Sequence, residues 1–361
     1  MKRLGIAWTM ARLRYIDGLY WSSCPDSELL ASLAREGLSM IVDLTEHECS
    51  YEPPPGVEIM EYPIMDFSFN PFEDVLVHVA LPVLQRLQGG EKVLVHCRGG
   101  IGRSGITVAM ILGLKYRLPA SEVKRKLSTL GFMGETPSQS LAFRWFFRAR
   151  DLVGEDLIVR LVNKLESIRD EKSSYWELYK NHASTVAGVA LDILEAISGI
   201  INLEREDYLN AYVAGLLHDV GRVVSSEEEH HEKGARLALE LGELTKCCNR
   251  LVVSKAIFHH RRSTDLLGDP ELQNLGEKAR LIAATVRLAD TFDDVYSGWG
   301  AYEAYGCYRG IELEGSSLIF LLSCNPPIWL ERRLAEKSSA FETLTGIRAM
   351  IEFADVEQDE L

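Results

Sequence analysis

The residues with the clearest chemical content are ten in a row, His96-Cys97-Arg98-Gly99-Gly100-Ile101-Gly102-Arg103-Ser104-Gly105. A cysteine followed six positions later by an arginine, with glycines between, suits a thiolate that attacks a phosphate monoester. Val93, Leu94 and Val95 predict a short buried strand before this loop, and Ile106, Ala109, Met110 and Gly113 have helical spacing after it. Gly99, Gly100 and Gly102 let the loop curl tightly, so that the amides from Arg98 through Ile101 to Gly102 face one phosphate. The helix that follows presents its positive end to the same point. Those dipoles and the Arg103 guanidinium favour the thiolate of Cys97. Arg103 can also hold two phosphate oxygens at once, which a lysine cannot.

This stretch resembles the signature of the cysteine-dependent protein tyrosine phosphatases and their compact dual-specificity branch. Cys97, Arg103 and Ser104 match that signature, with His96 and Gly102 in their usual places, and the likeness spans residues 19–147. It implies a general acid on an upstream loop, a place that Asp66 fills 31 positions before Cys97. Asp74 is the rival, but it falls within a helix predicted to begin near Pro71. The resemblance also implies a glutamine that orients the attacking water, for which Gln139 is the candidate. Ser104 is expected to hydrogen-bond the thiolate, and His96 to brace the loop. No metal is expected at this site. The loop carries no lysine of the kind that lipid or inositol phosphates call for.

A second constellation lies downstream. Of nine histidines, six fall between His182 and His260: His182, His218-Asp219, His230-His231 and His259-His260, with Asp290 following. Imidazole and carboxylate are natural ligands of a divalent transition metal. Val186, Val189 and Ile193 place His182 on an amphipathic helix, and a helix over residues 209–217 ends at His218-Asp219, with Gly221 predicted as its stop. Ligands drawn from separate helices let a metal pin a bundle as well as carry chemistry.

The order resembles the HD-domain metal-dependent phosphohydrolases. The carry-over is His182, His218, Asp219, one of His230 and His231, one or both of His259 and His260, and Asp290. It implies one or two ions of Fe, Mn or Zn, with Asp219 as the bridge when two are bound. The segment around His230-His231 looks like the HD-GYP branch, yet the GYP tripeptide is absent. A closer likeness, over residues 181–353, is to the carboxyl-terminal region of the exopolyphosphatase/guanosine pentaphosphatase family. It rests on Leu216-Leu217-His218-Asp219-Val220-Gly221, on His260-Arg261-Arg262, on Val286-Arg287-Leu288-Ala289-Asp290 and on Phe341-Glu342 ahead of Gly346. That family's actin-like ATPase domains have no counterpart here, so polyphosphate hydrolysis is not implied. Lys233, Arg261 and Arg262 lie near the ligands in sequence as candidate phosphate contacts. His47, His78 and the pair Cys247-Cys248 stand outside both constellations.

The whole chain sets bounds on these readings. Its 361 residues exceed one ordinary domain. We expect a multidomain chain: 1–151 an α/β phosphatase-type domain with a mainly parallel sheet, 152–174 a helical connector, 175–300 an all-α domain of HD type, and 301–361 a small α+β extension. Residues 1–150 hold 17 basic against 16 acidic side chains, so the remainder, with a net of −15, accounts for the chain's −14. That acidic part has no basic run to track a nucleic acid duplex. No apolar stretch predicts a membrane span or a signal region. Seven scattered cysteines suggest no disulfide framework, and a reactive thiolate suits a reducing compartment, so cytoplasm is the expectation. The substrates would be phosphorylated proteins or small phosphate esters. Two alternatives remain open. The helical domain could sense a nucleotide or metal and regulate the phosphatase, or the phosphatase domain could only recruit phosphorylated partners.

Overall fold

The structure is a computed structural model that describes residues 13–69, 71–129, 134–169, 175–224, 229–292, 307–323 and 328–353. The chain divides into two compact units, one up to Asn70 with Asp74–Phe143, the other Pro71–Glu73 with the chain from Arg144 onward.

The first unit is built on a five-stranded sheet of order β1-β2-β5-β3-β4, with β1 Arg14–Ile16, β2 Leu19–Ser22, β3 Leu38–Asp43, β4 Glu58–Glu61 and β5 Lys92–His96. Only the β1–β2 pair is antiparallel; the other pairs are parallel, as expected. Val93, Leu94 and Val95 have no exposed surface, the condition of a central strand covered on both faces. Its helices are α1 Ser27–Arg35, α3 Leu81–Gln88, α4 Arg103–Tyr116 and α5 Ala120–Ser128, while the short α2, Phe72–Val75, crosses the division after Glu73. A π-turn, Leu76–Ala80, separates α2 from α3. Helix α4 follows the carboxyl end of β5 and is buried from Arg103 to Leu114. A helix apolar on every side has to lie in a core, which fixes the phosphate loop between two buried elements. Helix α6, Pro137–Leu152, runs through the division at residue 143.

The second unit is helical: α7 Glu155–Ile168, α8 Trp176–Ile197, α9 Arg205–Leu217, α10 Val220–Val224, α11 His230–Glu240, α12 Arg250–His259, α13 Pro270–Asn274 and α14 Glu277–Ala289. Helices α8 and α9 approach closely because small residues meet. A methyl group on Gly215 would stand 2.8 Å from Ala187 Cα. Gly221 does not stop a helix, as its place in the sequence suggested. Helix α9 ends four residues earlier, and Gly221 lies inside α10, where any side chain would collide with the backbone of His230. Buried Glu73 belongs to this unit, accepting hydrogen bonds from Ser184 Oγ at 2.6 Å and Tyr212 Oη at 2.8 Å. The chain ends in a sheet of order β6-β7-β8, with β6 Tyr308–Glu314, β7 Ser317–Leu322 and β8 Arg348–Phe353. Helix α15, Ile328–Thr345, connects the parallel pair β7 and β8. Among the described residues no helix is long and apolar enough to cross a membrane.

The cysteines depart from expectation. Cys24 and Cys49 form a disulfide with their Cα atoms 5.5 Å apart, and Cys307 is also disulfide-bonded. Cys97, Cys247 and Cys248 are free. The end of β2 and the loop after β3 both lie beside β5, a convergence created by the sheet order and invisible in the spacing of the two cysteines. The chemical premise of the cytoplasmic expectation, a chain without disulfides, therefore does not hold.

One buried carboxylate joins three elements of the second unit. Asp192 on α8 accepts from Trp145 Nε1 at 3.0 Å, Arg144 at 2.9 Å and Tyr308 Oη at 2.8 Å, and also pairs with Arg148. Removing one partner of a buried ion pair leaves the other charge uncompensated, at a cost of about 3–5 kcal/mol. Asp192→Ala should therefore lower the thermal midpoint of the helical unit markedly in a calorimetric scan; an unchanged midpoint would contradict this account.

Candidate active sites

The phosphate loop closes on Cys97 from several sides. Cys97 Sγ is buried and accepts a hydrogen bond from Gly100 N–H at 3.2 Å, with Ser104 Oγ 3.3 Å away. Gly100 has φ +72°, and a Cβ there would run into the backbone of Ser22 and Ser23, so both conformation and space require glycine. Arg14 donates to the Gly100 carbonyl at 2.9 Å, and Cys24 N–H to that of Arg98 at 3.2 Å. Behind the loop, His96 is fully buried, with Nε2 2.7 Å from Tyr51 Oη and 3.7 Å from Asp43. Burial lowers its pKa, although the nearby Asp43 opposes the shift. His96 thus sits where a brace belongs.

Arg103 is held by two carboxylates. Its buried guanidinium donates through Nη1 to the Ile64 carbonyl at 2.7 Å, and through Nη2 to Glu48 and Asp66, each at 2.8 Å. Asp66 lies on the loop after β4, with Arg98 3.9 Å from its other oxygen. Asp74 is buried in α2. On the opposite side, Gly102 N–H donates to Glu135 at 3.1 Å. Gln139 abuts Gly102, where a Cβ would stand 2.5 Å from its amide nitrogen. That amide also accepts from Glu135 N–H at 2.7 Å and donates to the Ser68 carbonyl at 3.3 Å. The sequence reading missed Glu48 and Glu135. Both are acidic loop residues whose partners lie tens of positions away, and no local pattern marks them.

The cysteine pair bears on this site through sequence adjacency. Cys49 follows Glu48, and His47 before it has φ +64°, a left-handed conformation that a side chain disfavours. The Arg103 ion pair and the disulfide fall on the two residues that follow His47.

In the helical unit, His182 on α8, His218 and Asp219 after α9, His230 on α11 and His260 after α12 converge. His182 Nε2 and His218 Nε2 are 2.7 Å apart, and His230 Nε2 lies 3.4 Å from His260 Nε2. Two potential metal-binding groups result: His182, His218 and Asp219, and Asp219, His230 and His260. Asp290 Oδ1 stands 3.6 Å from His182 and 3.8 Å from His218, on the side of the first group. His218 and His260 use Nδ1 on the carbonyls of Gly215 and Ile257, which turns their Nε2 atoms toward the cluster.

His259 does not join this cluster. Its Nε2 is 2.8 Å from Asp269 and its Nδ1 3.1 Å from Thr264 Oγ1, so of the adjacent pair only His260 faces inward. Successive residues on a helix diverge by about 100°. Arg262 pairs with Glu336 at the surface. The cations that do reach the ligands are others. Arg222 donates to Asp219 Oδ2 at 3.0 Å, as does Tyr175 Oη. Lys337 and Arg333 of α15 reach Asp290.

The donor set fits a divalent metal. Asp219 Oδ1 is buried without a hydrogen-bond donor of acceptable geometry among the described residues, although His230 Nε2 is 3.0 Å away. An acceptor of that kind surrounded by imidazoles calls for a cation. Burial, helped by His182, holds the His218 pKa down at about 3. A neutral imidazole is the form that ligates. Burial would raise the Asp219 pKa, but the close imidazoles of His230 and His260 keep it well below the ordinary carboxylate range. Burial draws Lys337 down to about 8 against the pull of Asp290. His260→Ala should therefore weaken Mn²⁺ binding in a calorimetric titration, whereas His259→Gln should leave it close to wild type. The reverse order would overturn this assignment.

Comparison with known proteins follows the same division. The family described as "Polymorphic toxin system, DSP-PTPase phosphatase" matches residues 17–115, and the HD domain family matches 179–294. Among solved structures, Tk-PTP in its active form is 28% identical, covering 37% of this chain and 95% of that one, with a TM-score of 0.35. Pseudomonas (P. aeruginosa) TpbA is 20% identical over 42% and 91%, with a TM-score of 0.32. Human DUSP28 is 20% identical over 38% and 94%, with a TM-score of 0.33. No curated protein matches the chain. The matches carry the HD assignment and not the narrower likeness to exopolyphosphatase carboxyl-terminal regions. One chain thus joins a DSP-type phosphatase domain at residues 17–115 to an HD domain at residues 179–294.

Proposed function

We propose that Cys97 is the nucleophile of a phosphomonoesterase acting on phosphorylated proteins or small phosphate esters. The observation that carries this reading is the pair of groups on Cys97 Sγ, Gly100 N–H and Ser104 Oγ, with Arg103 six residues beyond Cys97 and its buried guanidinium on Asp66 and Glu48. Cys97 attacks phosphorus in line and forms a phosphocysteine while the alcohol or phenol leaves. The loop amides from Arg98, Gly99, Gly100, Ile101 and Gly102 and the Arg103 fork stabilise charge on the equatorial oxygens. An entering phosphate competes with Asp66 for Arg103, and Asp66, once displaced, is beside the leaving oxygen to protonate it. Asp66 then takes a proton from the water that releases phosphate, with Gln139 at the loop edge as the residue that orients that water. Ser104 stabilises the departing thiolate.

For the HD domain we infer a phosphohydrolase centre for nucleotides or other small phosphate esters, with Fe, Mn or Zn as the candidate metals. His182, His218, Asp219 and Asp290 would hold one ion and Asp219, His230 and His260 a second. Bound there, divalent metal supplies Lewis acidity and an acidified water. Asp219 and Asp290 would contribute the negative charge that balances the cations, and His218 and His260 keep their orientation through Nδ1. Arg222 and Arg333 are placed at the ligand carboxylates to meet a substrate phosphate.

Cys97→Ser should abolish metal-independent hydrolysis of an aryl phosphate while phosphate binding remains measurable, because the hydroxyl keeps the loop but is a far weaker acid than the thiol. Chelator-resistant turnover in a folded Cys97→Ser protein would sink the mechanism. Asp66→Asn should slow alkyl esters far more than activated aryl esters, since only poor leaving groups need the proton; general acids typically contribute on the order of 10² to 10⁴ in rate. Equal losses for both ester classes would remove Asp66 from that role.

A further inference from the structure

Helix α15 lies beyond the stretch matched by the HD family, yet it delivers a cation to the proposed metal centre. Lys337 is buried, and its Nζ donates both to Asp290 Oδ2 and, at 3.1 Å, to the Asp290 carbonyl. Arg333, one turn earlier, donates to the same carbonyl at 3.2 Å. The helix cannot easily withdraw. Leu334, Ala340 and Phe341 are buried, and Glu342 accepts from Ser338 Oγ at 2.8 Å and from Ala349 N–H of β8 at 3.2 Å. The two oxygens of Asp290 are thereby given different tasks. Oδ2 faces Lys337, and Oδ1 faces His182 and His218.

We propose that Lys337 is a positioning residue of the metal centre: it clamps Asp290 so that one oxygen alone is presented to the ion held by His182 and His218. The carboxyl-terminal extension is then part of the centre and not an appendage to it. The inference rests on the metal-binding reading of the HD domain. Two effects oppose one another. The ammonium repels an incoming cation, while its hydrogen bonds fix the ligand that receives it. Partners that orient metal ligands typically account for 10- to 100-fold in metal affinity, so fixing the ligand is the larger effect here.

The test is calorimetric titration of the full chain with Mn²⁺ and separately with Zn²⁺. Lys337→Met should weaken one ion 10- to 100-fold and leave the other within a few-fold of wild type. Lys337→Arg, which keeps a charged donor, should restore part of the loss. Pairing with ligand variants identifies the ion: Lys337→Met added to His230→Ala should weaken the remaining ion, and added to His182→Ala should change little. Wild-type affinity for both ions in Lys337→Met, or an equal loss of both in a protein with unchanged circular dichroism, overturns the proposal. If Lys337→Met does not fold, Lys337→Gln takes its place under the same criteria. A wild-type chain that binds neither metal would instead overturn the metal-centre reading itself.

Discussion

A charge taken out of water has to be answered by another charge or by aligned dipoles, since the penalty for leaving it bare is several kcal/mol per ion. Both sites of this chain are arranged around that constraint. At the phosphate loop the buried guanidinium of Arg103 is answered by Glu48 and Asp66. In the helical unit Asp219 is answered by imidazoles, Tyr175 and Arg222, and Asp290 by Lys337. The same pairs that satisfy the protein are those that a phosphate or a metal ion would enter. Under the proposed mechanism, the acid for leaving-group protonation already lies on the arginine that would bind substrate, so substrate binding and release of Asp66 would be one event.

Backbone packing makes those encounters possible. Gly215 against Ala187 brings α8 and α9 close enough for His182 and His218 to touch, and Gly221 against His230 does the same for α10 and α11. Gly100 against Ser22 and Ser23 seats the phosphate loop on the end of β2. In each case the missing side chain permits an approach, and the neighbouring functional residue benefits from it. The Asp192 cluster then locks α6, α8 and β6 around the core that carries His182.

What could be read from the sequence was whatever is contiguous or periodic. The phosphate loop is ten consecutive residues, and its strand and helix flank it directly, so β5 and α4 were legible, as were the helices of the second unit and the strand-helix-strand ending at β8. The candidate metal ligands were legible as an ordered set, but not which of two adjacent histidines faces inward; about 100° of helix rotation separates His260 from His259, and Asp269 claims the latter. Residues defined only by the folded chain were missed. Glu48, Glu135, Arg14 and Lys337 have no neighbours in sequence that announce their partners, and the Cys24–Cys49 bond depends on the order of strands in a sheet. Short strands such as β1, with three residues, carry too little alternation to be seen.

The central claim is that one chain holds two phosphate-ester sites of different chemistry, one dependent on a thiolate and the other on metal. The most direct measurement is hydrolysis of an aryl phosphate monoester by the full chain after two separate treatments, alkylation of Cys97 by iodoacetate and removal of divalent metal by chelation, with metal content and thiol modification verified for each sample. The account predicts that alkylation abolishes this turnover and that chelation leaves it intact, while the metal content falls only on chelation. Turnover that survives complete alkylation of Cys97 and disappears on chelation would contradict it.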